Sequence, residues 1–390
     1  MRRSNSIMND VYLTALGSFL PNAPVNNDEI ENLLGMVGGK PSRARRLTLR
    51  NNGIQTRYYA IDPDTGEFTH NNAQLAAEAI RVACKCAGMS LDDIECLCAG
   101  TSSPDQIKPA HANMVHGELG STPMEVVSTA GVCTSSMMAM KYAYMSIVTG
   151  AVHNAVSVGS ELSSSFMRAE NFEPEIEARI EALEKRPELA FEKDFLRWML
   201  SDGAGAAMLR SEPSRTGPSL HIDWIDGLSF AGDMPVCMYS GAIMQENGTL
   251  QGWRAARTPA AAIAEGYFAV KQDARLLDEH VLPATVDRAL IPIASKHNLT
   301  PDDVTWFLPH YSSEYFRPRL YERMKQAGFE IPEERWFTNL TRVGNVGSAS
   351  IYLVIEELLN SGKLKSGDRL LCYIPESARF SIYYMLLTVV

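Results

Sequence analysis

Cys133 directly follows a turn of small residues, Ser128-Thr129-Ala130-Gly131, and precedes a stretch with helical spacing. Met137, Met140, Ala143, Tyr144 and Ile147 fall on one stripe, and Gly150 marks a stop. An apolar strand is expected at 155–158. A cysteine at a helix start, behind a turn small enough to expose it, suits a nucleophile. The thiolate is the reactive form, and the free amides and dipole of a helix N-terminus favour it. Thr134 and Ser135 are placed to cap the same end. Such a side chain could hold an acyl group as a thioester. It equally suits a small apolar cysteine packed beneath a helix, so the reading depends on partners elsewhere.

The second half of the chain supplies them. NVGSASIYLVIEELLNSG, residues 345–362, repeats the spacing of 133–150: a helix start, seventeen positions, then glycine. Each helix leads through a polar turn to an apolar strand, 155–158 in one half and 370–374 in the other. Each strand then reaches a glutamate, Glu161 or Glu376. The period, 345 − 133 = 212, indicates an internal duplication of one supersecondary unit. Its two helix starts should meet across a pseudo-twofold axis, bringing Asn345 towards Cys133. TWFLPH, residues 305–310, reads as a strand ending in Pro309-His310. Such a strand end suits a histidine that exchanges a proton or donates to an oxyanion, although a satisfied core histidine has the same signature.

Cys, His and Asn so placed resemble the thiolase superfamily, and more closely its ketosynthase III family (3-oxoacyl-acyl-carrier-protein synthase III and relatives). The matching pieces run through nearly the whole chain in the family's order: ALGSFLPNAPVNNDEIE, NNGIQTRYYA, GVCTSS, VGSE, SDGAGAAML, FLPH, and RVGNVGSAS followed by GDRLL. The resemblance implies an α/β fold of duplicated thiolase-like halves layered αβαβα. It also implies a Cys133–His310–Asn345 triad, acyl carrier protein or coenzyme A thioesters as partners, and a homodimer. The halves are expected at 1–215 and 216–390, the second carrying His310 and Asn345. No cofactor or metal is called for.

Two departures from the family pattern bear on the substrate. Tyr311-Ser312-Ser313 stand where Gln-Ala-Asn usually follows the histidine. Pro375-Glu376-Ser377-Ala378-Arg379-Phe380 replaces the usual Gly-rich loop, bringing a carboxylate, Glu376, and a guanidinium, Arg379, towards the site. With Glu161 on the other half, these are expected to orient a β-keto group or deprotonate an activated carbon, unless an Arg379–glutamate pair simply braces the loop.

Composition narrows the partners. The 390 residues are 45% hydrophobic and 21% charged, as in an ordinary globular protein. No apolar run is long enough to span a membrane, and the N-terminus has no apolar signal region, so a cytoplasmic location is expected. Net charge is −10, which argues against nucleic acid as the main partner. An acidic carrier protein would need a local basic patch. Candidates are Lys40, Arg43, Arg45, Arg46 and Arg50, of which Arg46 and Arg50 are taken as substrate-binding, and Arg317, Arg319, Arg323 and Lys325; any one of them also fits a solvated helix face. Seven cysteines with no sign of secretion do not suggest a disulfide framework. Cys84/Cys86 and Cys96/Cys98 lack the usual zinc-ligand spacing.

The remaining elements must position these groups. A strand is expected at 11–16, and a helix through Leu34 capped by Asn26 or Asn27. Further helices are expected at 73–87 and 109–119, with strands at 96–101, 125–128 and 221–228. Residues 163–198, rich in glutamate from Glu170 to Glu192, read as a helical insertion on the surface. Asp202-Gly203-Ala204-Gly205 reads as a tight turn into a packed strand rather than a dinucleotide loop, since no helix follows it. Residues 211–218 suit a junction between halves, and 260–277 and 279–297 are expected as two long helices.

The chemistry that follows is a two-stage acyl transfer. Cys133 takes an acyl group, with backbone amides stabilising the oxyanion. A second thioester, malonyl or 3-oxoacyl, then forms an enolate whose oxygen accepts hydrogen bonds from His310 and Asn345, and its carbanion attacks the acyl group in a Claisen condensation. Two alternatives stand on the same scaffold: coupling and cyclisation of two 3-oxoacyl chains to a dialkylresorcinol or cyclohexanedione precursor, and acyl transfer to oxygen or nitrogen. A non-catalytic partner subunit would have no use for Cys133, His310 and Asn345 together.

Overall fold

The computed structural model describes residues 9–42, 45–172 and 196–390. The first half runs β1 (Tyr12–Phe19), α1 (Ile30–Leu34), α2 (Arg45–Asn52), α3 (Asn72–Ala87), β2 (Cys96–Thr101), α4 (His111–Leu119), β3 (Glu125–Ala130), α5 (Ser135–Val148), β4 (Asn154–Glu161) and β5 (Gly203–Arg210). The second runs β6 (Leu220–Ser229), α6 (Ala274–Leu282), β7 (Trp306–Pro309), α7 (Phe316–Gln326), α8 (Ser350–Asn360), β8 (Arg369–Glu376) and β9 (Ser381–Val389). Residues 211–219 connect β5 to β6.

Strand order repeats between them. The first half is ordered β3-β2-β4-β5-β1, with β2 parallel to β3 and β4, and β5 antiparallel to both its neighbours. The second is ordered β7-β8-β9-β6, with β7 parallel to β8 and the other pairs antiparallel. The counterpart of β3 has shrunk to one parallel bridge, Phe307 to Trp336, on the outer side of β7. The half-sheets pair at Tyr12↔His221 and Leu13↔Leu220, with the Ile222 N–H donating to Val11 O at 2.9 Å beside them.

Side-chain alternation along the strands builds the layers. On β8, Leu371 and Tyr373 join the outer core beneath α6 and α7, whereas Cys372 and Ile374 face α5 and α8. On β4, Val156 and Val158 face α3 and α4, and Ala155 faces α5. The order is therefore helices, sheet, α5 with α8, sheet, helices: the layered αβαβα class. The stripe Met137, Met140, Ala143 and Ile147 is fully buried and holds α5 in the central layer. An Asn71–Gln74 capping box starts α3, and Gly88, with φ 63°, ends it.

Some elements depart from expectation. Residues 260–277 are not one helix. A short helix, Pro259–Ala264, stops at Gly266, whose φ of 72° breaks it. Lys271–Gln272 then pairs with Met238–Tyr239, and α6 starts afresh on the Asp273 cap. From Ala274 the chain runs helically to Lys296, through a π-helical stretch at Pro283–Leu290. α1 begins at Ile30 with no side-chain cap: Asn26 instead accepts from the Asp28 N–H, and Asn27 from Arg57. Among the described residues, no helix is long and apolar enough to cross a membrane.

Candidate active site

The two helix starts meet as the 212-residue period requires. Ser136 Oγ donates to the Ser348 carbonyl at 2.6 Å, joining residues 212 positions apart, and Tyr352 donates to the Ser136 carbonyl at 3.1 Å. β4 passes directly beneath. A Cβ on Gly159 would lie 2.5 Å from Ser348 O and 2.8 Å from Ser136 Cβ, and one on Gly100 of β2 would lie 2.5 Å from the Ser135 carbonyl carbon. Only glycine admits helices this close to the sheet.

Cys133, His310 and Asn345 line one cavity of about 590 Å³ at this junction. Asn345 is pinned through its backbone, which donates to Met199 O and accepts from Ser201 N–H, both at 2.9 Å. Its Oδ1 accepts from the Gly347 N–H at 2.9 Å, which leaves the side-chain NH₂ to donate into the cavity. His310 follows β7, with its N–H donating to Tyr373 O at 2.8 Å. The rest of the lining is largely apolar and includes Leu277, Val281, Leu282, Phe316, Leu320 and Tyr373. The enclosure fits a chain-like apolar ligand with a few polar groups at one end.

Electrostatics set the resting protonation states. Burial holds His310 down to about 4, so it is neutral near pH 7, with one ring nitrogen free to accept and the other to donate. Burial also pushes the Cys133 thiol well above its usual range, and Glu161 and Glu376 add to the shift. The thiol's own backbone N–H works the other way and is outweighed. The expected thiolate at the helix start is thus corrected: Thr134 makes no side-chain cap, and the resting group is a thiol that needs a proton acceptor when it reacts.

The carboxylates have different duties from those expected. Glu161 lines the cavity, but its oxygens are occupied. Oε1 accepts from the Ser102 and Ser348 N–H groups at 3.2 Å, and Oε2 from the Ser102 and Ser103 hydroxyls at 2.5 and 2.9 Å. Burial raises its pKa, and these donors oppose the rise. Glu161 therefore ties the start of α8 to β4 and to the loop after β2 rather than standing free as a base. Glu376 is also buried and accepts from the Ala378 N–H and the Ser381 hydroxyl, so it braces its own turn. Arg379 is exposed and lies outside the cavity lining, which carries Ser377 and Ala378 from this turn instead. Phe380 turns inward with φ 56°, a costly conformation for a bulky residue, and it points Arg379 away.

Because the Glu376 charge raises the Cys133 pKa, Glu376→Gln should shift the thiol's alkylation profile to lower pH. At fixed pH the variant has more thiolate and reacts faster with iodoacetamide. An unchanged profile would mean that this charge does not reach the sulfur.

The basic candidates separate into two groups. On α7, Arg317 pairs with Glu333, Arg319 with Asp278, Arg323 with Asp287, and Lys325 with Glu330, so that face is neutralised. Arg45 is held by Asp28 and Glu31. Arg46 and Arg50 are exposed on α2 and Lys40 just before it, outside the cavity lining. The end of α2 abuts the His310 loop, since the Glu314 N–H donates to Asn52 O at 3.0 Å. Arg43 and most of the glutamate-rich insertion, Glu173 to Glu192, fall outside the described residues. The insertion's flanks reach the cavity through Phe166, Asn171 and Leu196. Sequence reading missed Ser102, Ser103 and Ser348, the donors to Glu161; the only available signal was the serine richness beside each motif.

The layered fold is thiolase-like. Residues 294–373 match the model for the C-terminal part of 3-oxoacyl-[acyl-carrier-protein] synthase III. The chain is 24% identical over 370 residues to beta-ketoacyl-[acyl-carrier-protein] synthase III of Hyphomonas neptunium, with 92% of this chain and 93% of that one covered. Its fold is similar to that of AbyA1, a tetronic acid condensing enzyme, with TM-score 0.71 and 21% identity over 97% of this chain and 99% of that one. It is also similar to OleA of Xanthomonas campestris, solved with lauric acid and lauroyl-CoA, with TM-score 0.70 and 19% identity over 98% and 99%. The chain is a ketosynthase III-like member of the thiolase superfamily.

Proposed function

We propose that this enzyme forms a carbon–carbon bond by Claisen condensation of an acyl group held on Cys133 with a second, malonyl or 3-oxoacyl, thioester. The observation that carries the reading is the opening of Cys133, His310 and Asn345, from corresponding ends of repeated units, onto one apolar cavity. In the first stage the Cys133 sulfur attacks the acyl thioester carbonyl, its proton passes to neutral His310, and the first thiol leaves. In the second stage His310 and the Asn345 amide donate to the carbonyl oxygen of the incoming thioester. With a malonyl group, loss of CO₂ leaves the electron pair on the α-carbon, which attacks the Cys133 thioester and expels the cysteine sulfur. For a malonyl donor no strong base is needed, in keeping with the saturated hydrogen bonding of Glu161; a 3-oxoacyl donor would instead give its α-proton to neutral His310.

In the same reading the chain divides into halves at 1–215 and 216–390, which the repeated strand order supports. The donors are coenzyme A or acyl carrier protein thioesters, and the exposed Arg46 and Arg50 beside the His310 loop suit an acidic carrier. A homodimer is favoured because β3 is the open edge of the sheet, where unpaired backbone invites a second strand.

Intact-mass analysis against a panel of acyl-CoA and acyl-carrier thioesters tests the reading, with Cys133→Ala and Arg46→Glu/Arg50→Glu as variants and native mass recorded in parallel. The expected result is a mass gain on the wild type that Cys133→Ala lacks, slowed for carrier-bound donors in the charge-reversed variant, on a protein of twice the chain mass. Equal behaviour of wild type and Cys133→Ala across the panel would sink the acyl-enzyme mechanism.

A further inference from the structure

We propose that Tyr373, locked in place by Thr285, forms the outer-layer wall of the acyl cavity and sets the length of acyl chain the enzyme accepts. This assignment rests on the condensing reading above and names a specificity determinant within it.

The cavity leaves the central layer, where Cys133 packs, and reaches residues of the outer core: Leu277, Val281 and Leu282 from α6, Phe316 and Leu320 from α7, and Tyr373 from β8. Tyr373 is held at both ends. Its backbone lies in the sheet in register with Pro309, and its carbonyl accepts the His310 N–H at 2.8 Å. Its hydroxyl donates to Thr285 Oγ1 at 2.8 Å, and Thr285 Oγ1 donates onward to Val281 O at 2.7 Å. Tyr384 donates to the Thr285 carbonyl at 2.8 Å. Thr285 lies in the π-helical stretch begun by Pro283, where the helical bond pattern shifts next to the cavity-lining Val281 and Leu282.

The arrangement places a buried hydroxyl among apolar side chains and satisfies it completely, so the ring has one position. The ring stands against Phe307 and Tyr384 at 6.0 and 5.6 Å between centroids, which closes the space behind it. A wall fixed in the same register as the His310 strand gives the cavity a set depth measured from the reacting centre. A chain that ends at the ring is accepted, and a longer one has to displace a packed, hydrogen-bonded aromatic.

The test is competitive acylation of the full-length protein by an equimolar ladder of even-numbered saturated acyl thioesters, presented in turn on coenzyme A and on an acyl carrier protein, read by intact mass on Cys133. Tyr373→Val should move the preference between a donor and its two-carbon-longer homologue by ~10-fold or more towards the longer chain. Tyr373→Phe keeps the ring and should shift it less. Val281→Phe, which fills the cavity from the facing helix, should move it towards shorter chains. An unmoved ladder in folded Tyr373→Val, or an equal shift in Tyr373→Phe, would overturn the wall assignment. Should Tyr373→Val not fold, an unmoved ladder in Val281→Phe does the same. Absence of any adduct on the wild type would instead overturn the condensing reading, and the wall with it.

Discussion

Asn345→Ala should cost about 10²–10³-fold in CO₂ release from a malonyl thioester, the usual price of one oxyanion donor, yet leave acylation of Cys133 near the wild-type rate. The asymmetry follows from the local hydrogen bonds. Asn345 Oδ1 is spent on the Gly347 N–H, so the side chain has only its NH₂ to offer, and an amide donor serves the enolate oxygen without taking up the Cys133 proton. His310→Ala should behave differently and slow both stages, by about 10²–10⁴-fold. The thiol rests protonated, and neutral His310 is the cavity's acceptor as well as a donor. The pH profile carries the same signature. His310 gains its proton as pH falls through about 4 and can then no longer accept one from Cys133, so the acid limb of acylation should lie near there, well below the 6.5 of a free imidazole. Intact mass reads the first stage and CO₂ release the second. Unimpaired CO₂ release in Asn345→Ala would remove that residue from the chemistry.

What the sequence made legible was what repeats. Equal spacing after Cys133 and Asn345, and a glutamate closing each following strand, sufficed to predict touching helix starts, and Ser136 and Ser348 do touch at the predicted period. Local signals also placed α3, β2 and the buried stripe of α5, because amphipathic spacing and a short apolar run act over a few residues; the Asn71 cap of α3 went unread. Side-chain duties set by distant partners stayed hidden. Glu161 looked like a free carboxylate because its donors lie 59 and 187 positions away. The cations of α7 looked available because Asp278 and Asp287 reach them from the preceding helical rod. Arg379 looked inward because its segment replaces a Gly-rich loop that closes the site in the family it resembles, but next to it the left-handed Phe380 turns into the core and Arg379 is left exposed.

Gly159→Ala should be among the most damaging single-methyl additions to this chain. The new Cβ would sit 2.5 Å from Ser348 O, a backbone atom that cannot rotate away. Ser348 is held there by Ser136 Oγ on one side and Glu161 Oε1 on the other, so any relief must part the two helix starts or lift both off β4. Overpacking of this kind costs about 3 kcal/mol or more, measurable as a lower midpoint in urea. The functional loss should exceed the loss of stability. Cys133 and Asn345 sit at the two starts, and a displacement of ~1 Å between reacting groups costs on the order of 10²-fold in rate. Gly117→Ala gives the contrast. That glycine lies within α4 with open space where its Cβ would be, so alanine should raise stability by up to about 1 kcal/mol and leave acylation unchanged. If Gly159→Ala unfolds at the wild-type urea concentration, the helix starts are not clamped on β4, and the fixed Cys133–Asn345 geometry that the condensation needs would require another source.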